Sequence, residues 1–486
     1  MPFRPVILWT DSLVFVLVAA IIAFACYVNR HEHLRVPWSK VARSRYGMCS
    51  LVVLSVFIVI GLLDSVHYRA RLDARQADGK VNYSPEVLSV FDKIVAPLKA
   101  RTERTYSAPL AAYAFAKENV LLPNGTAARE FPRLRFGGAH LKDPAKELED
   151  DVLRKTLGGI GVAASLWIVL TMMVAAFLAK RANEGFGSVV SRIMHGQTEA
   201  PWREMLITAG LLLLVAGPLV VLSGSYHVLG TDKVGQDVLY QTLKSIRTGL
   251  VIGTLTTLVM LPFALLLGIM AGYFRGLLDD IIQLIYTTLN SIPGVLLIAA
   301  SVLLSQVWMD RHSEWFETVT ERADVRLLCL CLILGITSWT GLCRLLRGEA
   351  LKLRELEYVQ AARAFGVSDW RIITRHLVPN VMHIVLITVV MDFSVLVLAE
   401  AVLSYVGVGV DPSMISFGTM INNARLELAR DPMVWWSLAA AFIFMVLLVL
   451  SANLFSDSVR DAFDPRVRSG WSLPSLFKGR AAAGAS

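Results

Sequence analysis

Residues 341–380 read GLCRLLRGEALKLRELEYVQAARAFGVSDWRIITRHLVPN. The stretch is charged and helix-forming, and it sits between two apolar runs, about 325–342 and about 381–406. So much polar helix between two apolar runs points to a partner that grips it. Within it, Tyr358, Ala361, Ala362 and Phe365 fall at i, i+3, i+4 and i+7 and share one helical face, while Glu357, Gln360 and Arg363 lie towards the other. Two alanines between aromatic residues give a helix with a small centre and bulky ends. That shape fits a groove on another protein, and it equally fits an amphipathic loop helix packed on its own domain. Gly366 is placed to end the helix in the left-handed conformation. Ser368 is placed to cap a second helix from Trp370 to Leu377, and Pro379 marks the way into the next apolar run.

The rest of the chain is read outward from there. Of 486 residues, 55% are hydrophobic, above the 45–50% or so of ordinary soluble domains. Apolar runs long enough for a hydrocarbon core of about 30 Å recur at about 7–28, 47–63, 157–178, 205–222, 250–272, 281–304, 325–342, 381–406 and 434–455. Alternating strands of about ten residues, the mark of a β-barrel, are not the pattern. The fold class expected is an all-α polytopic membrane protein. The first run is too long for the h-region of a cleavable signal. Cys26, Cys49, Cys329, Cys331 and Cys343 lie in or at the ends of apolar runs and read as small hydrophobes.

The net charge of +8 reads as positive-inside topology, not nucleic-acid binding. Three segments concentrate the cations: 29–46 (Arg30, Arg35, Lys40, Arg43, Arg45), 180–203 (Lys180, Arg181, Arg192, Arg203) and 343–380. Placing them in the cytoplasm puts the N-terminus outside and the C-terminus inside. Residues 1–203 then hold three spans and a polar excursion at about 65–156, expected to be a small extracytoplasmic unit. The triplet Asn124-Gly125-Thr126 within it reads as chance. Residues 204–468 hold six spans, and 469–486 form a basic, small-residue tail expected to fray.

The run from Gly335 to Asn380 closely resembles the "EAA" loop of permease subunits of bacterial ABC importers, in the second-permease type of the dipeptide/oligopeptide/nickel branch. Ala361, Ala362, Gly366 and Pro379 fall at that motif's spacings, whereas Gln360 stands in place of Glu, and His376 and Val378 in place of Ile and Leu. Two further stretches agree. His227-Val228-Leu229-Gly230-Thr231-Asp232, with Gly235, Asp237, Val238 and Leu239, resembles the branch's periplasmic motif before the next span, with Gln236 where Arg is usual. Asp461-Ala462-Phe463-Asp464-Pro465-Arg466 resembles its closing motif, and Glu400 to Gly409 matches as well. The resemblance covers about 204–468. It implies a type I importer transmembrane domain of six core spans, here with about three extra N-terminal spans. Arg43 to Asp64 is similar to the first span of some members, so 65–204 reads either as an insertion or as part of a 1–203 prefix.

The resemblance further implies an inner-membrane permease whose loop 344–380 couples to one or two cytoplasmic ATPases through Glu357, Tyr358, Gln360, Ala361, Ala362, Arg363, Phe365, Gly366 and Pro379. A second homologous permease and a periplasmic substrate-binding protein complete the system, and peptides are the expected cargo. The chain has no G-x-x-x-x-G-K-[ST] loop and no H-E-x-x-H spacing. No ATP site, metal site, cofactor or bond chemistry of its own is therefore expected. Asp392 and Glu400 lie in the 381–406 run, where an acid costs about 2.5–3.5 kcal/mol and usually faces a cavity or a partner. They are about 12 Å apart in helix rise and turned by roughly 80°. Asp392 is expected on the translocation path, Glu400 with Ser404 at a gate or in a structural role, and Asn290 on the path where Asn290, Ser291 and Pro293 interrupt the sixth run. The rival reading is an ion-driven secondary transporter or channel with an extracytoplasmic sensor.

Overall fold

A computed structural model describes residues 3–71, 83–121, 127–316 and 318–463. The Asn124–Thr126 triplet, residues Asp464 to Arg466 of the closing motif and the 469–486 tail lie outside the described residues. The chain opens with strand β1 (Phe3–Val6) and helices α1 (Trp9–Arg30), α2 (Glu32–Arg43) and α3 (Arg45–Asp64). Next come β2 (His67–Arg71), β3 (Tyr83–Ser89), α4 (Val90–Ile94), α5 (Ala96–Ala100), β4 (Glu118–Leu121) and β5 (Ala127–Glu130). The helices α6 (Pro144–Ala182), α7 (Phe186–Met194), α8 (Trp202–Ser223), α9 (Val238–Phe274), α10 (Leu277–Ser291) and α11 (Gly294–Arg311) follow. The chain continues through α12 (Val319–Ser338), α13 (Thr340–Arg354), α14 (Glu357–Ala364), α15 (Asp369–Ile372), α16 (Val378–Tyr405), α17 (Phe417–Glu427) and α18 (Trp436–Phe463).

Nine helical segments among the described residues are long and apolar enough to cross a membrane, one for each run read from the sequence. The sixth run is not one helix. It breaks at Ile292-Pro293 into α10 and α11, with Ile292 extended at φ −88° and ψ 130°, because the residue before a proline is driven out of the helical region. Strands occur only outside the spans. β1, β2 and β3 form an antiparallel sheet in that order, with Val6 opposite His67 and His67 opposite Ser89, and β4 pairs with β5.

The sheet fixes which helix ends share a side. β1 lies beside the exit of α3, so the start of α1 and the end of α3 are on the face that carries the 65–143 unit. α9 begins on that unit face and runs to the opposite one, where Tyr273 Oη donates to Asp369 Oδ1 at 2.6 Å. α14 therefore lies on the face opposite the unit. α9 is central, packing against α3, α12, α13 and α16, which explains its burial on most sides. α3 packs between α9 and α18, whereas α6 and α8 form a hairpin of their own that touches the bundle through α3.

Candidate functional site

α14 is anchored from inside. Val359 is 1% exposed and packs in one apolar cluster with Tyr273, Leu346, Ala350, Ile372 and Leu377. The helix ends in a Schellman arrangement: Gly366 N donates to Arg363 O (3.0 Å) and Val367 N to Ala362 O (3.1 Å), with Gly366 at φ +74°, a value that favours glycine. The face read from the sequence divides. Tyr358, Ala361 and Phe365 are exposed, Phe365 at 87%. Ala362 turns inward and packs with Val367 against the apolar cluster. The reason is local: the Schellman turn brings the residue after Gly366 back onto Ala362. Glu357, Gln360 and Arg363 are exposed at the rim, and Gln360 Nε2 donates to Glu355 O at 3.2 Å.

Ser368 occupies the next N-cap position, but its side chain makes no capping bond. Its carbonyl accepts from Arg371 N and Ile372 N. Pro379 stands in the first turn of α16, and a widened π turn, Ile373–Leu377, joins α15 to it. Pro379 has no N–H for the carbonyl four residues back and its ring crowds that carbonyl, and the widened turn sits directly before it. Asn380 Nδ2 donates to Tyr358 Oη at 3.1 Å, tying the root of α16 to α14.

A groove of about 780 Å³ opens between α9, the α12–α13 junction and α16. Ser338, Thr340, Arg344, Thr388 and Asp392 supply its polar lining. Among the described residues, no hydrogen-bond or ion-pair partner holds the Asp392 carboxylate or the Arg344 guanidinium. Asn290 is exposed at the end of α10 and accepts from Thr340 Oγ1 at 3.1 Å, so it touches a lining residue from outside. Glu400 and Ser404 do not line this groove. Glu400 is 1% exposed and accepts from Ser404 Oγ at 2.6 Å and Ser416 Oγ at 2.8 Å. The pair joins α16 to the cap of α17. A buried carboxylate needs such donors.

The Gly230–Asp237 segment is a knot at the unit face. Asp237 caps α9, accepting from Leu239 N (2.8 Å) and Tyr240 N (3.2 Å). Its other oxygen meets His227 Nδ1 at 2.8 Å. Thr231 Oγ1 accepts from Ser107 N at 2.7 Å and donates to Thr105 O at 2.9 Å. Asp232 accepts from Val234 N, Gln236 N and Gln241 Nε2. A Cβ on Gly230 would lie 2.5 Å from Ser107 O. Gly235 has φ +77°, and a Cβ there would lie 2.0 Å from Glu103 O. Residues 103–107 of the unit are thus seated on the motif.

Glu103 was not legible as part of this cluster, since its partners lie more than thirty residues away in the chain. Its carboxylate accepts from Arg135 N, Phe136 N and Gly137 N and stands 3.4 Å from His227 Nε2 as an ion pair. Burial pushes the Glu103 pKa up, but His227 and the three backbone N–H groups outweigh it and hold it at about 2. Burial pushes His227 down, but Asp237 and Glu103 outweigh it and raise it to about 9. The His227 contribution to stability is complete below its ordinary 6.5 and is lost as pH rises through about 9. The Glu103 contribution is complete above its ordinary 4.5 and is lost as pH falls through about 2. Protease resistance of the unit is expected to be highest between those ordinary values. Glu103→Gln should flatten the acid limb and His227→Gln the alkaline one. A profile unchanged by either variant would remove the pair from the account.

A second cluster was missed because its members lie at or near the ends of separate apolar runs, far apart in the chain. Arg247 of α9 donates through Nη2 to Asp11 Oδ1 at 2.6 Å and Thr10 Oγ1 at 3.2 Å, and lies 3.9 Å from Asp324. Thr10 also hydrogen-bonds Asp324, and His67 Nδ1 meets Asp11 Oδ2 at 2.7 Å. Ionisable residues so near the ends of spans were the signal available.

Residues 264–469 match the family of binding-protein-dependent transport system inner membrane components. An oligopeptide transport system permease protein of Mycobacterium tuberculosis is 34% identical over 246 residues, covering 51% of this chain and 78% of that protein. The chain belongs to the binding-protein-dependent transport system inner membrane components. A glutathione transport system permease protein of Pectobacterium atrosepticum is 33% identical, covering 50% of this permease and 74% of that protein. A dipeptide transport system permease protein of Lactococcus lactis is 30% identical, covering 49% and 64%. The MetNI methionine ABC transporter, solved in inward-facing conformations, covers 46% of this permease and 94% of its own chain at 17% identity, with a TM-score of 0.33. The permease is a multi-pass component of the inner membrane. In its family, the ATPase is a separate subunit and a substrate-binding protein works alongside.

Proposed function

We propose that this permease imports peptides, driven by ATP hydrolysed in one or two cytoplasmic subunits that dock on α14. The observation that carries the reading is α14 itself: a helix pinned from within by Val359 that offers Tyr358, Ala361 and Phe365 to solvent on the face opposite the unit. Glu357, Gln360 and Arg363 would form the polar rim, and Gly366 and Pro379 would fix the helix's pose. Relatives named for oligopeptide, dipeptide and glutathione transport support a peptide cargo. A second homologous permease would face the groove that holds Asp392, and a periplasmic binding protein would dock on the unit face. ATP-driven movement of α14 would rock the spans between inward-open and outward-open states as rigid bodies. In this orientation the N-terminus is periplasmic and the C-terminus cytoplasmic. Because α3 packs against α9 and α18 while α6 and α8 pair with each other and reach the bundle through α3, the stretch from residue 65 through α8 is best read as an insertion after the first core span, with α1 as a further added span.

The deciding experiment is peptide uptake into membrane vesicles holding the complete system. Uptake should require ATP and survive collapse of the ion gradients; the reverse pattern would favour an ion-driven carrier. Asp392→Asn is expected to lower uptake of a free-amine peptide about tenfold or more, the worth of one lost hydrogen bond to a charged group. It should leave the same peptide with an acetylated amine much less affected. Equal losses for both would mean that Asp392 does not meet the amine.

A further inference from the structure

We infer that α2 is a binding surface for the headgroups of anionic phospholipid, lying along the membrane boundary between two spans. α2 joins α1 and α3, both long and apolar enough to cross a membrane, so it sits where both leave the bilayer. It is held there. Val41 is 3% exposed, the Trp38 ring meets Phe463 edge-on with centroids 5.6 Å apart, and Ser44 Oγ donates to Ser458 Oγ at 3.1 Å. The helix is thus fixed against the end of α18.

Its outer side is cationic. At about 100° per residue, Arg35, Ser39, Lys40 and Arg43 fall within an arc of about 140°, with Val41 and Trp38 on the opposite side. Arg35, Lys40 and Arg43 are exposed, and none has a carboxylate partner among the described residues. Two other cations on the α14 face are held by acids, Arg192 by Glu184 at 3.0 Å and Arg347 by Asp279 at 2.6 Å. Tyr27 (51% exposed) and Tyr46 (78% exposed) stand on the flanking spans, where aromatic residues meet the headgroup layer. A positive-inside loop needs only charge somewhere near the membrane. Here Arg35, Lys40 and Arg43 share one side of a helix tethered to the bundle, against a single acid, Glu32, in the helix's own sequence. The chemistry that answers them is a row of phosphodiesters, and each such cation adds to attraction by an anionic surface.

The leaflet's name rests on the orientation proposed above; the binding does not. The test is native mass spectrometry of the purified full chain in detergent, titrated with phosphatidylglycerol or phosphatidylcholine. Phosphatidylglycerol is expected to be retained on the order of tenfold better, with the preference falling as salt is raised. Replacing Arg35, Lys40 and Arg43 together by Gln should reduce retention to the phosphatidylcholine level, whereas Arg35→Lys with Arg43→Lys should keep most of it. Retention unchanged in the triple Gln variant would overturn the proposal. If that variant does not fold, Ser39→Glu places an acid in the same stripe, and undiminished phosphatidylglycerol retention in it would overturn the proposal equally. Loss of ATPase co-purification with lipid retention intact would mean that the stripe meets a protein instead. Failure of the transport reading would show in uptake and leave these lipid counts unchanged.

Discussion

Ala361→Arg is expected to strip the ATPase from the purified complex and to abolish ATP-dependent uptake without unfolding the permease. Ala361 is exposed and lies between Tyr358 and Phe365 on the helix surface, three residues after one and four before the other. A docking helix with a small centre lets the partner's backbone come close, and an Arg there would hold the two surfaces apart. Truncations at the centre of an interface commonly cost 2 kcal/mol or more, and an inserted obstacle should cost at least that. At about 1.4 kcal/mol per tenfold, affinity falls by roughly thirtyfold or more. The fold should survive because the helix is held by Val359 and its Schellman turn, neither of which the new side chain touches. Ala362→Arg would be a poorer test, since Ala362 packs inward and its loss of binding would be mixed with local unfolding. Pull-down of the ATPase and uptake by vesicles check the outcome. If Ala361→Arg keeps both at wild-type level, α14 is not the docking element.

Arg247→Met should destabilise the whole bundle by about 3–5 kcal/mol, the usual consequence of breaking a buried ion pair from one side. Arg247, Asp11 and Asp324 are 6%, 1% and 2% exposed, so the abandoned carboxylates cannot reach water. Met fills much of the volume, which keeps the loss electrostatic in origin. Asp11→Asn in the same chain should return part of the stability, because it removes a buried charge left with His67 alone as its ionisable partner. The double-mutant cycle, read by thermal unfolding in detergent, isolates that coupling. Strict additivity of the two substitutions would show that Arg247 and Asp11 do not stabilise one another. The cluster also has a structural consequence: Thr10 and Asp11 tie α1 to α9 and α12.

Much of this was legible in the chain. The spans are a property of composition over about 20 residues, and each apolar run corresponds to a helical segment long and apolar enough to cross a membrane. Gly366 and the spacing from Tyr358 to Phe365 foretold the short helix and its left-handed end, because both are local. Glu103 and His227 could not be paired from sequence, since more than a hundred residues separate them. The inward turn of Ala362 was equally hidden, because helical periodicity places residues on faces but does not say which face a terminal turn folds over. Asp392 and Glu400 looked alike as acids in an apolar run. Only their neighbours separate them: Glu400 meets Ser404 and Ser416, and Asp392 meets the open groove.

The sequence by itself determined the class of molecule, the number of candidate spans and the place of the short helix α14, since hydrophobic length and helical spacing act over one or a few turns. The tertiary structure decided which polar groups are spent on holding helices together and which are left free. That choice depends on burial and on partners from distant parts of the chain, and the cost of an unpaired buried charge is set only when those parts meet.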